Sequence, residues 1–377
     1  MRIAFLATFF PDYSLEAATA LSGAADVLLL ADREQLDADS CGEKRAALAN
    51  AGRLTQFRQK RLSRIPAVAF AFLRIALFRP DVVIAHLDAR LHVTLIYALV
   101  ARVARLVLIV HDPVAHQGRD REVAEKRTWL VRRQVASASL FLTHGPYCAK
   151  LWSRADNRYG LITGRPVVTV PHGPVLRPAA ISPLPARCRV LMFGRMEAYK
   201  GLDVLLAALG LLVARKVDVE LRLAGDGPEL ERLEPKFAAL GQCSIRRGFV
   251  PRDDAMSELR DAALVVVPYT EATQSGVVAA AFAHGRPVIA SRVGGLPDFV
   301  RDGENGLLVP ASDPTALADA IETVARNRAL LERLASGARE SSAHEMSWEV
   351  FAARSLVEIR ALARVAKTPA ETARLGV

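Results

Sequence analysis

The chain has 377 residues, half of them apolar, with 50 Lys and Arg against 40 Asp and Glu, a formal charge of +10. That length exceeds what one core ordinarily fills and predicts two domains. Cys41, Cys148, Cys188 and Cys243 are far apart and form no C-x-x-C pair, which argues against structural zinc and a disulfide framework. The opening Met1 to Leu6 is too short for the apolar region of a signal peptide, so a reduced cytoplasm is the expectation. No stretch reaches 18 uncharged apolar residues, so no spanning helix is predicted.

Along the chain, short apolar runs alternate with helical patterns, which predicts α/β architecture with parallel sheets. In the first half, strands are predicted over 2–7, 26–30, 82–85, 106–110, 140–143 and 167–170. Five prolines between Pro171 and Pro185, with no periodic pattern, read as a linker. In the second half, strands are predicted over 189–193, 220–224, 244–247, 264–268, 287–291 and 306–309. Helices are predicted over 203–213, 313–325 and 329–335, and a last one from 346 to about 364. The division expected is therefore 1–175, a linker 176–186, 187–345, and a closing helix 346–366.

The basic excess belongs to the first half. Residues 1–183 carry 25 basic and 15 acidic side chains, and residues 184–377 carry 25 of each. Between Glu43 and Asp81 there is no acidic residue, yet nine are basic: Lys44, Arg45, Arg53, Arg58, Lys60, Arg61, Arg64, Arg74 and Arg79. Leu, Ile, Val and Phe are interleaved with them. Residues 44–79 thus read as basic amphipathic helix, the composition that lies on an anionic membrane surface. No nucleic-acid motif accompanies it, so a nucleic-acid partner is not expected.

Three stretches can carry chemistry. In Phe193-Gly194-Arg195-x4-Lys200-Gly201 a strand ends, a turn holds two cations five positions apart, and a helix begins. Helix N-terminal N–H groups attract anions, and two cations beside them suit a diphosphate. In the second, Glu271 to Val278, a loop leads from a strand into a helix, so Gly276, Val277 and Val278 can offer N–H groups to phosphate. The third is His111-Asp112 at a strand's carboxyl end, where ligands bind in α/β sheets. His86 follows another strand, and Asp12 lies in the first βα loop, Thr8-Phe9-Phe10-Pro11-Asp12-Tyr13. Asp37-x-Asp39 follows no clear buried strand and is discounted as a metal motif. Gly225-Asp226-Gly227 lacks the third glycine of a dinucleotide fingerprint, and there is no G-x-S-x-G elbow or P-loop.

Gly194-Arg195-x4-Lys200-Gly201-x-Asp203, Leu223-Ala224-Gly225-Asp226-Gly227-Pro228, Gly248-Phe249-Val250, Gly294-Gly295-Leu296-Pro297 and Asp302-Gly303-Glu304-Asn305-Gly306 keep one order over residues 185–350. This pattern resembles the retaining GT-B glycosyltransferases of family 4; the first half matches weakly. The resemblance implies two Rossmann-like domains with parallel sheets facing across a cleft. It implies transfer from a nucleoside-diphosphate sugar with retention, without metal or other cofactor. Arg195 and Lys200 would hold the diphosphate, Glu271 sugar hydroxyls, and His111 the donor sugar. Gly194, Gly225, Gln274, Ser275, Gly276, Val277 and Val278 would line the donor site, with Phe249 and Val250 at the base. Asp12, His86 and Asp112 would lie on the acceptor side. The last helix would cross back to the first domain with Trp348 as a packing anchor.

Two departures stand out. The second glutamate of the family's E-x7-E is Ala279, and the glycine pair usual in the first βα loop is absent. The Gln274-Ser275-Gly276 form resembles a sub-branch associated with bacterial surface polysaccharide assembly. That sub-branch implies a lipid-linked glycan acceptor and a cytoplasmic protein peripheral on the inner face of the membrane. A soluble transferase on a small-molecule acceptor and a non-catalytic nucleotide- or carbohydrate-binding homologue are the alternatives.

Overall fold

The computed structural model of the chain describes residues 1–32, 36, 42–57, 64–113, 128–154 and 164–364. Among them the chain forms two compact units. One holds residues 1–171 together with the last helix from Trp348, and the other holds residues 172–347.

The first unit is built on seven parallel strands: β1 Arg2–Ala7, β2 Asp26–Asp32, β3 Leu54–Phe57, β4 Val82–His86, β5 Arg105–Val110, β6 Leu140–His144 and β7 Val167–Val170. Their order is β3-β2-β1-β4-β5-β6-β7. The central strands are continuous apolar runs because helices cover both faces. Helices α3 Arg64–Phe78, α4 Leu91–Val103 and α5 Thr128–Ser137 share one apolar cluster with the sheet. On the other face, α1 Pro11–Leu21 packs against the closing helix, α13 Trp348–Arg364. There the Tyr13 ring meets Trp348 edge-on at 4.8 Å. A short helix, α6 Gly145–Trp152, follows β6.

The stretch 44–79 is not one amphipathic helix. It holds the end of α2 Gly42–Asn50, then strand β3, then α3. Gly52, at φ 66°, turns the chain out of α2. Leu54-Thr55-Gln56-Phe57 then alternates, burying Thr55 and Phe57 while Gln56 faces out, and pairs in register with Leu29 to Asp32. Period-two burial of two side chains against β2 outweighs helical periodicity over so short a run. Arg58, Lys60, Arg61 and the Asp37-x-Asp39 pair lie outside the described residues.

The second unit repeats the plan with six parallel strands: β8 Arg189–Arg195, β9 Glu220–Asp226, β10 Cys243–Arg247, β11 Leu264–Val267, β12 Val288–Ser291 and β13 Gly306–Val309. The order is β10-β9-β8-β11-β12-β13. Helices α7 Leu202–Ala214, α8 Pro228–Ala239, α9 Arg252–Asp261 and α10 Gly276–Ala283 make the crossovers, and α11 Pro314–Arg326 and α12 Arg328–His344 follow β13. Helix α12 runs nine residues beyond the predicted 335, to His344. Its extension is held where Asn305, buried, donates to Ser341 Oγ at 2.9 Å and Arg301 donates to the same oxygen at 3.0 Å. Both sheets are Rossmann-like, the fold class the sequence predicts. Among the described residues no helix is long and apolar enough to cross a membrane.

Candidate functional site

In an open α/β sheet the ligand crevice lies at the carboxyl ends of the strands, where the strand order reverses. In the second unit that point is between β8 and β11. Arg195 ends β8 and Lys200 lies in the loop after it; the loop after β11 carries Glu271, Gln274 and Ser275. The two are tied together, since Thr270 N–H donates to the Tyr199 carbonyl at 2.8 Å. Lys200 Nζ lies 3.8 Å from the centre of the Tyr269 ring, a cation–π contact between the two loops. Arg195 is exposed and forms no ion pair among the described residues.

Glycines allow this closeness. Gly201, at φ 71°, caps α7, and a Cβ there would lie 2.0 Å from the Pro268 carbonyl oxygen. Gly225 pairs with Gly194 across β9 and β8, and its Cβ would lie 1.9 Å from the Gly194 oxygen. A Cβ on Gly194 would sit 3.9 Å from Val277 Cγ2, so the glycine turn faces the start of α10. At that start, Gly276, Val277 and Val278 are the first helical residues, whose N–H groups have no partner within the helix. Just before them, Gln274 Oε1 and Ser275 Oγ are buried without a hydrogen-bond partner. Buried polar atoms are normally paired, so two orphans beside a helix N-terminus and two cations describe a site shaped for a polar, anionic ligand.

Phe249 stands 74 % exposed after β10, and Val250 packs against the core beneath it. Ala279 is buried in the same apolar cluster and offers no polar group. His172 sits with Cε1 3.6 Å from the Cβ position of Gly276. Its only sequence signal is the Val170-Pro171-His172-Gly173 turn.

The first unit reverses its strand order between β1 and β4. Here three histidines end successive strands: His86 on β4, His111 just after β5, His144 on β6. All three are buried. Ser14 Oγ lies 2.7 Å from His86 Nε2, and His86 Nδ1 lies 2.9 Å from His111 Nε2. Each nitrogen–nitrogen hydrogen bond needs one protonated and one bare nitrogen, so the tautomers of the two imidazoles are coupled. Phe10 takes the left-handed conformation, φ 52°, that the glycine usual in this loop would take without strain. Its ring stands 4.7 Å from that of His111. Asp12 is in the first turn of α1, and Asp112 follows His111 half-buried. The sequence did not reveal that Asp88, buried and salt-bridged to Arg90, accepts from Thr8 Oγ1 at 2.8 Å. That pair locks the loops after β1 and β4 together.

Residues 187–327 match the family model described as glycosyl transferases group 1. That stretch of the chain is similar to the group 1 glycosyl transferases. It holds the crevice just described, with Arg195, Lys200, Glu271 and the start of α10. Among curated proteins, a D-inositol 3-phosphate glycosyltransferase of Nocardioides is 38 % identical over 192 residues, 46 % of this chain and 42 % of that protein. The lipopolysaccharide core biosynthesis glycosyltransferase LpsE of Rhizobium meliloti is 34 % identical over 162 residues, 43 % and 46 % of the two chains. The matched region thus spans less than half the length of these relatives. The fold is shared more widely. Anabaena HepE, solved with UDP and glucose, aligns over 96 % of this chain and all of that one, with TM-score 0.67 and 18 % identity. Sucrose-phosphate synthase of Thermosynechococcus elongatus aligns over 96 % and 99 %, with TM-score 0.70 and 20 % identity. The group 1 match and these neighbours agree with the GT-B fold that the resemblance implied.

Proposed function

We propose that this chain is a glycosyltransferase that moves a sugar from a nucleoside-diphosphate sugar to an acceptor, with retention of anomeric configuration. The observation that carries the reading is the convergence at the β8/β11 switch point: two cations, a helix N-terminus and two orphaned buried oxygens. Arg195 and Lys200 hold the diphosphate. Charge grows on that group as the glycosidic bond breaks, so cations fixed in advance stabilise the transition state more than the ground state. Glu271 takes sugar hydroxyls. Gln274 and Ser275 supply the polar contacts that Ala279 lacks, and Phe249 with Val250 meets the base. HepE was solved with UDP, which favours a nucleotide ligand of this class. The first unit takes the acceptor at Asp12, His86 and Asp112, and His111 orients the donor sugar.

The acceptor proposed is a lipid-linked glycan at an anionic membrane surface. The basic, apolar composition of residues 44–79 supports it, as do relatives named for phosphatidyl-myo-inositol mannosyl transfer and lipopolysaccharide core biosynthesis.

Calorimetric titration with UDP, GDP, ADP and TDP, with a Lys200→Ala control, tests the donor site. Micromolar binding of one nucleotide, weakened at least tenfold in the control, is the expected result. A folded protein that binds none of the four overturns the reading and leaves a non-catalytic homologue.

A further inference from the structure

Helices α3, α4 and α5 lie side by side on one face of the first unit's sheet. Their inner sides, such as Ile75, Val100 and Val131, join the core. Their outer sides carry Phe70, Leu73 and Leu77 on α3, Leu91 and Leu95 on α4, and Trp129 on α5, each 44 to 68 % exposed. Single exposed apolar residues are ordinary, but six large ones on three adjacent helices form a patch that marks an interaction surface. The charges on these helices have one sign. They are Arg64, Arg74, Arg102, Arg132 and Arg133, with no Asp or Glu. A second copy of the chain would set this positive face against itself. An anionic bilayer matches both its charge and its apolar content.

At the end of α3 the patch borders a cavity of about 450 Å³, lined by Arg2, Arg53, Arg74, Leu77 and Phe78 among others. One carboxylate lines it, Asp26, 3.5 Å from Arg2 Nε. The Arg2 guanidinium also lies over the Phe78 ring, 4.6 Å from its centre. Arg74 donates to Thr55 Oγ1 through Nη2 at 3.1 Å, while its Nε is buried with no hydrogen-bond partner. Leu77, 68 % exposed, belongs both to the cavity wall and to the patch. Three guanidiniums against one carboxylate, beside an exposed leucine, suit a phosphate attached to an acyl chain.

We propose that the α3–α4–α5 face docks on an anionic phospholipid bilayer and that the Arg2–Arg53–Arg74 cavity holds one lipid headgroup phosphate. This rests on the membrane part of the proposed function. It replaces the linear stretch 44–79 by a three-helix face that includes residues far along the chain.

The test is co-sedimentation of the full chain with vesicles of phosphatidylcholine alone or mixed equally with phosphatidylglycerol, together with tryptophan emission. Trp152 and Trp348 are buried, so a blue shift on vesicle addition reports Trp129. Binding to the anionic vesicles only, with that shift, is expected. The Leu73→Ser/Leu77→Ser variant is expected to lose at least tenfold in binding. Arg53→Gln is expected to lose about fivefold, the equivalent of one basic residue near the surface. Circular dichroism checks that each variant is folded. Wild-type binding that both variants retain overturns the assigned face while sparing the membrane reading. No binding by the wild type overturns both. A concentration-dependent dimer lost in Leu73→Ser/Leu77→Ser, without vesicle binding, overturns the lipid assignment in favour of self-association. Inorganic phosphate binding that depends on Arg53, without vesicle binding, overturns it in favour of a soluble anion.

Discussion

Gly201→Ala tests whether the two donor loops depend on each other. Alanine at φ 71° sits in the left-handed region, which costs about 1 kcal/mol. The new Cβ would lie 2.0 Å from the Pro268 oxygen, and must move about 1.4 Å to reach an ordinary contact at 3.4 Å. The obstacle is backbone, so relief comes only by shifting Lys200 or the loop that leads to Glu271. Overpacking of this kind costs about 1–3 kcal/mol, and a misplacement near 1 Å at a reacting centre can cost about 100-fold in rate. Gly241 is the control: its φ is 72° and nothing lies within 4 Å of its Cβ position. Thermal unfolding is expected to show Gly241→Ala losing about 1 kcal/mol and Gly201→Ala about 2–4 kcal/mol. Calorimetry is expected to show nucleotide binding weakened in Gly201→Ala alone. Equal destabilisation of the two variants, or undiminished nucleotide affinity in a folded Gly201→Ala protein, would refute the argument.

Two further outcomes follow from packing and charge. Gly210 and Gly337 are both helical, but a Cβ at Gly210 meets nothing within 4 Å whereas one at Gly337 would lie 2.2 Å from the Glu304 oxygen. Gly210→Ala should stabilise by about 0.5–1 kcal/mol from helix propensity, and Gly337→Ala should destabilise; urea midpoints moving in the same direction would contradict this. Burial, reinforced by the Arg286 charge, pulls His284 down to about 4. The unfolded chain takes up this proton below about pH 6.5 and the folded chain does not. Stability from this group is therefore full at neutral pH and falls between about 6.5 and 4, by about 3 kcal/mol in all. His284→Gln should flatten that part of the stability–pH curve, and identical acid slopes for the two proteins would rule the assignment out.

Much of the fold was legible because its strands are continuous apolar runs between glycine- and proline-marked turns. Buried parallel strands need such runs, so β1, β5 and β12 ended where the sequence predicted. β3 escaped because an edge strand of four residues with Thr55 and Gln56 in it carries too little apolar signal. α12 was cut short because burial of Ser341 and approach to Asn305, not local propensity, carry it past Gly337.

The sequence by itself determined the two α/β units, the basic, acid-free stretch between Glu43 and Asp81, and the Arg195–Lys200 turn. These are local properties of periodicity, charge and spacing. Only the tertiary structure decided which side chains share a site. His86 reaches Ser14 across 72 positions, Thr270 bonds Tyr199 across 71, and Trp129 joins Leu73 and Leu77 on one face. Parallel sheets made by crossover connections bring the ends of distant strands together, and strand order, which no local pattern encodes, sets which ends become neighbours.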